Sequence, residues 1–205
     1  MDPQALRLKS MSTLASLGLA VPAHLPPLDP SELRDEGETL KRLACLHACS
    51  ASAFGFSRVK SLAWIEAQSL TSFLEEEEAS FLRGQESGNR FAYQVEGIFA
   101  LCWALGIEES IDWFDAVDNA FVHRLPNLKL GEPLQSLCAS ARMRDTVEIM
   151  QAADLGYCLH WALRDASLAG ERKDFPIEPY VIIERRRALE WLTGPDRWYD
   201  ITLDT

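Results

Sequence analysis

Apolar residues recur every three or four positions through most of the chain, and nowhere alternate with polar ones over six or more residues. That spacing predicts helices and no sheet. The most apolar stretch is RFAYQVEGIFALCWALG, Arg90 to Gly106, which is apolar on every side and therefore requires other helices around it. At about 16 residues it makes a central helix of roughly 24 Å.

Turn and cap residues divide the rest. Leu6 to Leu19 reads as a first helix with Gly18 near its end, and His24 to Pro30 as a proline-rich connector. Asp29-Pro30-Ser31-Glu32 spells a helix start: a cap, a proline in the first turn and a glutamate reaching back to the cap. That helix runs to about Ala53 and ends at Gly55. A third helix, Ser57 to Phe73, carries the stripe Val59, Leu62, Ala63, Ala67, Leu70 and Phe73, with Glu66 inside it. Ser72 and Glu75 form a capping box for a short acidic helix ending at Leu82. Its residues Glu75 to Glu78 read as a solvated first turn favoured by the helix dipole.

Further helices are predicted over Ile111 to Arg124, from Pro133 toward Ala141, and over Thr146 to Leu168. The last of these is opened by Asp145 and Glu148 and closed by Gly170. A final helix lies between Glu178-Pro179 and Gly194-Pro195. Asn127 to Glu132 is a turn, and the tail from Trp198 is irregular. The pattern is that of an all-α, single-domain helical bundle of about seven to nine helices, in which residues 1–30 (helix and connector) precede a core over 31–205.

Charge narrows the partners. With 20 basic against 31 acidic residues the net charge is −11, which repels phosphate backbones and makes a basic protein, a cationic ligand or no steered partner more plausible than nucleic acid. The charge-free run Ser10 to Leu28, behind Arg7 and Lys9, faintly mimics a signal peptide. Ser10, Ser12, Thr13 and Ser16 dilute its apolar part, so it reads instead as an amphipathic helix and linker. No run approaches the ~20 apolar residues of a membrane span. Cys45, Cys49, Cys102, Cys138 and Cys158 all lie in apolar helical segments and read as reduced thiols of a cytoplasmic protein. Cys45, His47 and Cys49 lack a second ligand pair, so no metal is expected. No phosphate-cradling glycine loop, nucleophile elbow or zinc-helix motif is present, and no cofactor is expected.

The informative charges are those on apolar helix faces. Arg185 falls in the arc of Val181, Ile182, Ala188, Leu189 and Leu192, and Glu96 lies beside Ala92, Phe99, Ala100 and Trp103. Both are expected to be buried, and a buried guanidinium is expected to need carboxylates, because an unpaired buried charge costs several kcal/mol. Glu96, Glu66 or an acid of the long helix are its expected partners. Asp154, Cys158, Trp161 and Asp165 form a stripe, with the two aspartates about 16 Å apart, too far for a paired-carboxylate hydrolase site. On the next flank are Tyr157, His160 and Arg164. The last two, one turn apart, can bind an anion, although an exposed edge with Arg164 salt-bridged is the plainer reading. Arg185, Arg186 and Arg187 point in three directions and form no nucleic-acid patch. Trp161, Trp191 and Trp198 read as core anchors.

Three segments, RFAYQVEGIFALCWALG, DLGYCLHWALRDASLAG and IIERRRALEWLTGPDRWYDITLDT, resemble the bacterial domain-of-unknown-function family 4272. Its members carry an E-x-x-x-A-L-x-W-A-L-G helix, a D-L-x-Y-x-L-H-W-A-x-R-D-A helix and an ending like W-D-D-V-x-T-D-T. The likeness spans Ser31 to Thr205, and departs at Gly97 to Phe99 and at Tyr199 in ways that read as packing and surface changes. The resemblance implies no established activity. Its characteristic polar residues map to Glu96, Asp154, His160, Arg164, Asp165, Glu184, Arg185, Asp200 and Asp204, which with Glu66 make the candidate cluster. A cytoplasmic interaction or structural protein with a buried ionic network is the leading expectation. The second is an enzyme or binder of a small anionic ligand, with a pocket between the central, long and last helices, Glu96 as acid or base, and Arg164 or Arg185 holding the anion. A third is an immunity-type inhibitor of a basic toxin, acting through Glu75 to Glu78.

Overall fold

The computed structural model describes residues 2–21, 25–28, 33–168 and 178–203. Among them are nine α-helices: α1 (Pro3–Ser16), α2 (Glu36–Ala53), α3 (Arg58–Ala67), α4 (Glu76–Leu82), α5 (Asn89–Tyr93), α6 (Val95–Ala104), α7 (Gln135–Cys138), α8 (Thr146–Leu168) and α9 (Pro179–Thr193). Two 3₁₀ turns, Thr71–Phe73 and Asn119–Arg124, complete the regular structure, and no strand occurs among the described residues. The fold is all-α. Residue contacts gather the chain into two units: Met1–Leu33, Asp112–Ala116 and Arg144–Thr205 in one, Arg34–Ile111 and Val117–Met143 in the other.

In the first unit α8 is the post against which α1 and α9 pack. It has the bounds its periodicity predicts, and the Asp145 carboxylate accepts the Val147 N–H at 2.8 Å. The closing Gly170 lies outside the described residues. α1 buries Leu6 and Leu14, α8 buries Ile149, Met150, Cys158 and Leu159, and α9 buries Val181, Ile182, Leu189 and Leu192. Trp198 is fully buried, 6.0 Å from the Trp191 ring, so these two are core anchors, whereas Trp161 is half-buried.

In the second unit the hub is α2, which packs against α3, α4, α5 and α6. It starts at Glu36 with the Asp35 carboxylate capping the Glu38 N–H at 2.7 Å, and the start proposed at Asp29-Pro30-Ser31-Glu32 lies outside the described residues. The Arg90 to Gly106 stretch is not one continuous helix. It breaks at Gln94, whose ψ of −9° departs from the helical value, into α5 and α6. The break lets Phe91 stack on Phe81 at 4.3 Å, while α6 still buries Ile98, Leu101 and Cys102 completely.

Three other expectations are corrected. α3 stops at Ala67 because Ser69 adopts a left-handed conformation (φ 59°) and donates to Glu66 O, while Leu70 donates to Ile65 O. Its buried face is Ser61, Trp64 and Ile65, so Val59 is left 76% exposed and Glu66 faces solvent. Trp64 and Ile65 offer more apolar area than the alanines of the other stripe, and that decides the phase. The capping box sits three residues later than predicted: Glu75 is the cap and Glu78 reaches back to its N–H at 3.0 Å. Residues 111–118 are irregular, not helical. The carboxylates of Asp112 and Asp118 accept the N–H groups of Phe114, Asp115, Ala120 and Phe121, which competes with the helical ladder.

Trp113, in that irregular segment, lies against Gly156 of α8. A Cβ at Gly156 would stand 2.5 Å from the Trp113 ring, closer than any real contact. Gly156→Ala is therefore expected to lower stability by about 1–3 kcal/mol, the range for overpacking. A urea titration checks this; an unchanged midpoint would mean that Trp113 does not depend on that space.

Candidate functional site

Arg7 lies on the buried face of α1, in the arc of Ser10 and Leu14, where it meets Asp154 in the middle of α8. Arg7 Nη2 donates to Asp154 Oδ1 at 2.8 Å, and Nε donates to Oδ1 and Oδ2 at 3.1 and 3.2 Å. Nη1 donates to Leu25 O at 2.7 Å and Nη2 to Pro26 O at 2.9 Å. Asp154 is 2% exposed and also accepts the Cys158 thiol at 3.8 Å. Burial alone would lower the Arg7 pKa, but the hydrogen bonds and charge of Asp154 outweigh it and raise the value. Arg7 was not among the residues singled out from the sequence. Its signal was the spacing Arg7, Ser10, Leu14, which places it on the apolar face of α1.

One turn further along α8, Arg186 of α9 performs a similar joining role. Only 3% exposed, it donates from Nε to Glu190 Oε1 at 2.6 Å and from Nη1 to His160 Nδ1 at 2.7 Å. Its guanidinium lies 4.9 Å from the centre of the Tyr157 ring, and that of Arg7 lies 5.5 Å from the same ring. Burial, then the charges of Arg186 and Arg164, push the His160 pKa down to about 4. Burial raises the Glu190 carboxyl, against the pull of Arg186.

The arginine triplet does diverge, as its helical spacing requires. Arg185, 1% exposed, donates to the backbone carbonyls of Asp112 and Asp115, the latter at 2.7 Å. Carbonyls are acceptors that side-chain patterns do not reveal. Arg187 reaches Glu184 at 3.5 Å and Ile201 O at 3.3 Å. Burial raises the Glu184 pKa, and Arg187 opposes the shift.

In the second unit the buried pair is Arg42 on α2 and Glu78 on α4, with Glu75 at 3.6 Å. Glu78 is fully buried, so Glu75 to Glu78 is not a solvated turn, and of the four only Glu76 is exposed. Glu96 is buried as expected and accepts the Val117 N–H at 2.9 Å, anchoring a segment that lacks helical hydrogen bonds. His47 Nε2 meets Pro126 O at 2.9 Å, and burial lowers its pKa. Burial raises the thiols of Cys45 and Cys158 to about 12, and Cys49 and Cys102 also rise, so none of these is a ready nucleophile.

In the first unit Asp154, His160, Glu184 and Arg185 join buried or half-buried networks, whereas Arg164, Asp165 and Asp200 are exposed. Among the described residues Arg164 makes no ion pair, contrary to the plainer expectation for it. Glu96 lies in the second unit, as does the exposed Glu66, and Asp204 is outside the described residues.

The model of a family described as a domain of unknown function (DUF4272) matches residues 6–202, nearly the whole chain, and the chain belongs to that family. No curated protein and no solved structure matches it.

Two outcomes follow from the first unit's geometry. Arg7→Met or Asp154→Leu alone strands a buried charge and is expected to cost about 3–5 kcal/mol, while the double variant recovers most of that loss, short of the carbonyls of Leu25 and Pro26 that lose their donor. Urea unfolding of the three variants checks this; a double variant no better than the singles would refute the pairing. The second outcome concerns pH. The folded His160 pKa of about 4 lies below the ordinary 6.5, so between those values the unfolded chain binds the proton first. Stability is full above pH ~6.5 and falls as pH drops toward ~4, by on the order of 2 kcal/mol. His160→Gln should flatten that part of the profile, measured as melting temperature against pH.

Proposed function

We propose that this DUF4272 protein is a cytoplasmic structural or interaction protein in which buried ion pairs hold helices in register and perform no reaction. One observation carries the reading. Arg7 and Asp154 are saturated by one another and by the carbonyls of Leu25 and Pro26, with Asp154 sealed from solvent. A reacting carboxylate needs an approach for substrate and a proton to move; this one has its lone pairs occupied by a guanidinium and a thiol. Polar groups buried and mutually satisfied in this way are the ordinary equipment of a fold.

The cytoplasmic assignment is supported by five cysteines that are all free thiols. No helix among the described residues is long and apolar enough to cross a membrane. The surplus of acidic residues favours a basic protein as partner and disfavours nucleic acid. With Glu78 committed to Arg42, a basic partner would meet the dispersed acidic surface, not a four-residue acidic face.

A thermal-shift screen of common metabolites on the wild type and on Glu96→Gln tests the proposal. Glu96→Gln keeps an acceptor for the Val117 N–H, so the variant is expected to fold. No metabolite should raise the wild-type melting temperature in a way that the variant loses. A metabolite that stabilises the wild type by several degrees and leaves the variant unmoved would make Glu96 part of a site and sink the structural reading.

A further inference from the structure

We propose that Tyr157, His160 and Arg164 of α8, together with Arg186 of α9, form a binding site for a phosphate or phosphate monoester. All four belong to the first unit, at the opposite end of its ionic network from the sealed Arg7–Asp154 pair. The site goes beyond the structural role proposed above and does not depend on it.

Residues 157, 160 and 164 share an arc of about 60° on α8, since successive positions advance 100°. Arg186 crosses from α9 to touch two of them, with its guanidinium over the Tyr157 ring and Nη1 on His160 Nδ1. That hydrogen bond settles the tautomer. Nδ1 accepts, so the imidazole proton resides on Nε2 and is directed away from Arg186. Glu190 holds Arg186 by Nε, which leaves Nη2 without an acceptor among the described residues. Arg164 is exposed and equally without an acceptor among them. The set therefore presents an imidazole N–H and two guanidinium edges, with the Tyr157 ring supporting one of them.

The charge balance points the same way. Arg7 is matched by Asp154, and Arg187 is paired with Glu184. Among the described residues, two guanidiniums at His160 face one partnered carboxylate, Glu190, a local positive excess on a chain whose net charge is −11. Arg186 bonds the ring directly, and burial, then the charges of Arg186 and Arg164, lower the His160 pKa. His160 is thus neutral near pH 7 and donates without repelling either of them. Donors carried by two helices suit a tetrahedral oxyanion with two charges. A carboxylate is planar and would engage a single guanidinium edge, leaving the others unused.

The test is a titration of the full chain with inorganic phosphate near neutral pH at constant ionic strength. Calorimetry and the ring resonances of His160 are followed together. The expected result is saturable binding at millimolar phosphate or below, with a shift of the His160 Nε2 signal and none at His47. Arg164→Gln changes an exposed residue and should fold normally, yet weaken phosphate at least tenfold, the loss of about one charge-assisted hydrogen bond. Acetate should bind at least tenfold more weakly than phosphate. Non-saturating titration, equal binding by Arg164→Gln, or equal binding of acetate would each overturn the proposal. None of those outcomes bears on the Glu96→Gln comparison, so this site and the structural role stand or fall separately.

Discussion

A charge taken out of water must be given back its acceptors, and the arrangement of α1 on α8 follows from that requirement. Asp154 sits in the middle of a long helix at a position solvent does not reach. Left alone it would cost several kcal/mol. Arg7 supplies the partner, and its spare N–H groups then demand acceptors of their own, which the carbonyls of Leu25 and Pro26 provide. A single buried carboxylate thereby positions a helix and part of the connector that follows it. Apolar packing alone would not be so exacting. Leu6 and Leu14 would tolerate a small slide along α8, whereas a two-point hydrogen bond would not.

The same requirement is met differently elsewhere. Arg42 is answered by two glutamates of a helix start, and Glu78 serves at once as ion-pair partner and as the returning arm of the capping box. One carboxylate thus satisfies a guanidinium and an orphan N–H of α4. Arg185 is answered by main-chain carbonyls of an irregular segment. That segment has carbonyls to offer because it forms no helix. The carboxylate of Asp112 takes the N–H groups that a helix would use, and those N–H groups and Arg185 hold its pKa below the ordinary value although burial alone would raise it. Local irregularity and a buried arginine sustain one another.

Much of this was legible in the chain. α8 has long, unbroken periodicity with a capping aspartate, and its bounds are as predicted. Arg185 and Glu96 announced their burial by their place on apolar arcs. What helical spacing could not convey was which of two apolar stripes faces inward. On α3 the choice fell to Trp64 and Ile65 and turned Glu66 outward. Nor could it convey acceptors on the backbone, so the carbonyl partners of Arg185 had no sequence signature. Arg7 was masked by its resemblance to the charged flank of a leader, and Arg186 by its membership of a triplet that, taken as a patch, led nowhere. Judged singly, each occupies a buried arc of its helix, and that is the criterion that finds them.

His160 shows why burial and compensation must be assessed group by group. Asp154 matches the charge of Arg7, whose remaining N–H groups go to carbonyls, so the charges at that end cancel and the contact is closed. Arg186 has a carboxylate on one edge and an imidazole on another, and the imidazole is kept neutral by burial and by the very cations around it. A neutral histidine can accept a hydrogen bond from an arginine but cannot offset its charge. The network along α8 is therefore asymmetric. Among the described residues it is electrically complete at Asp154 and carries an excess of positive charge at His160, although both ends are built from arginines crossing to the same helix.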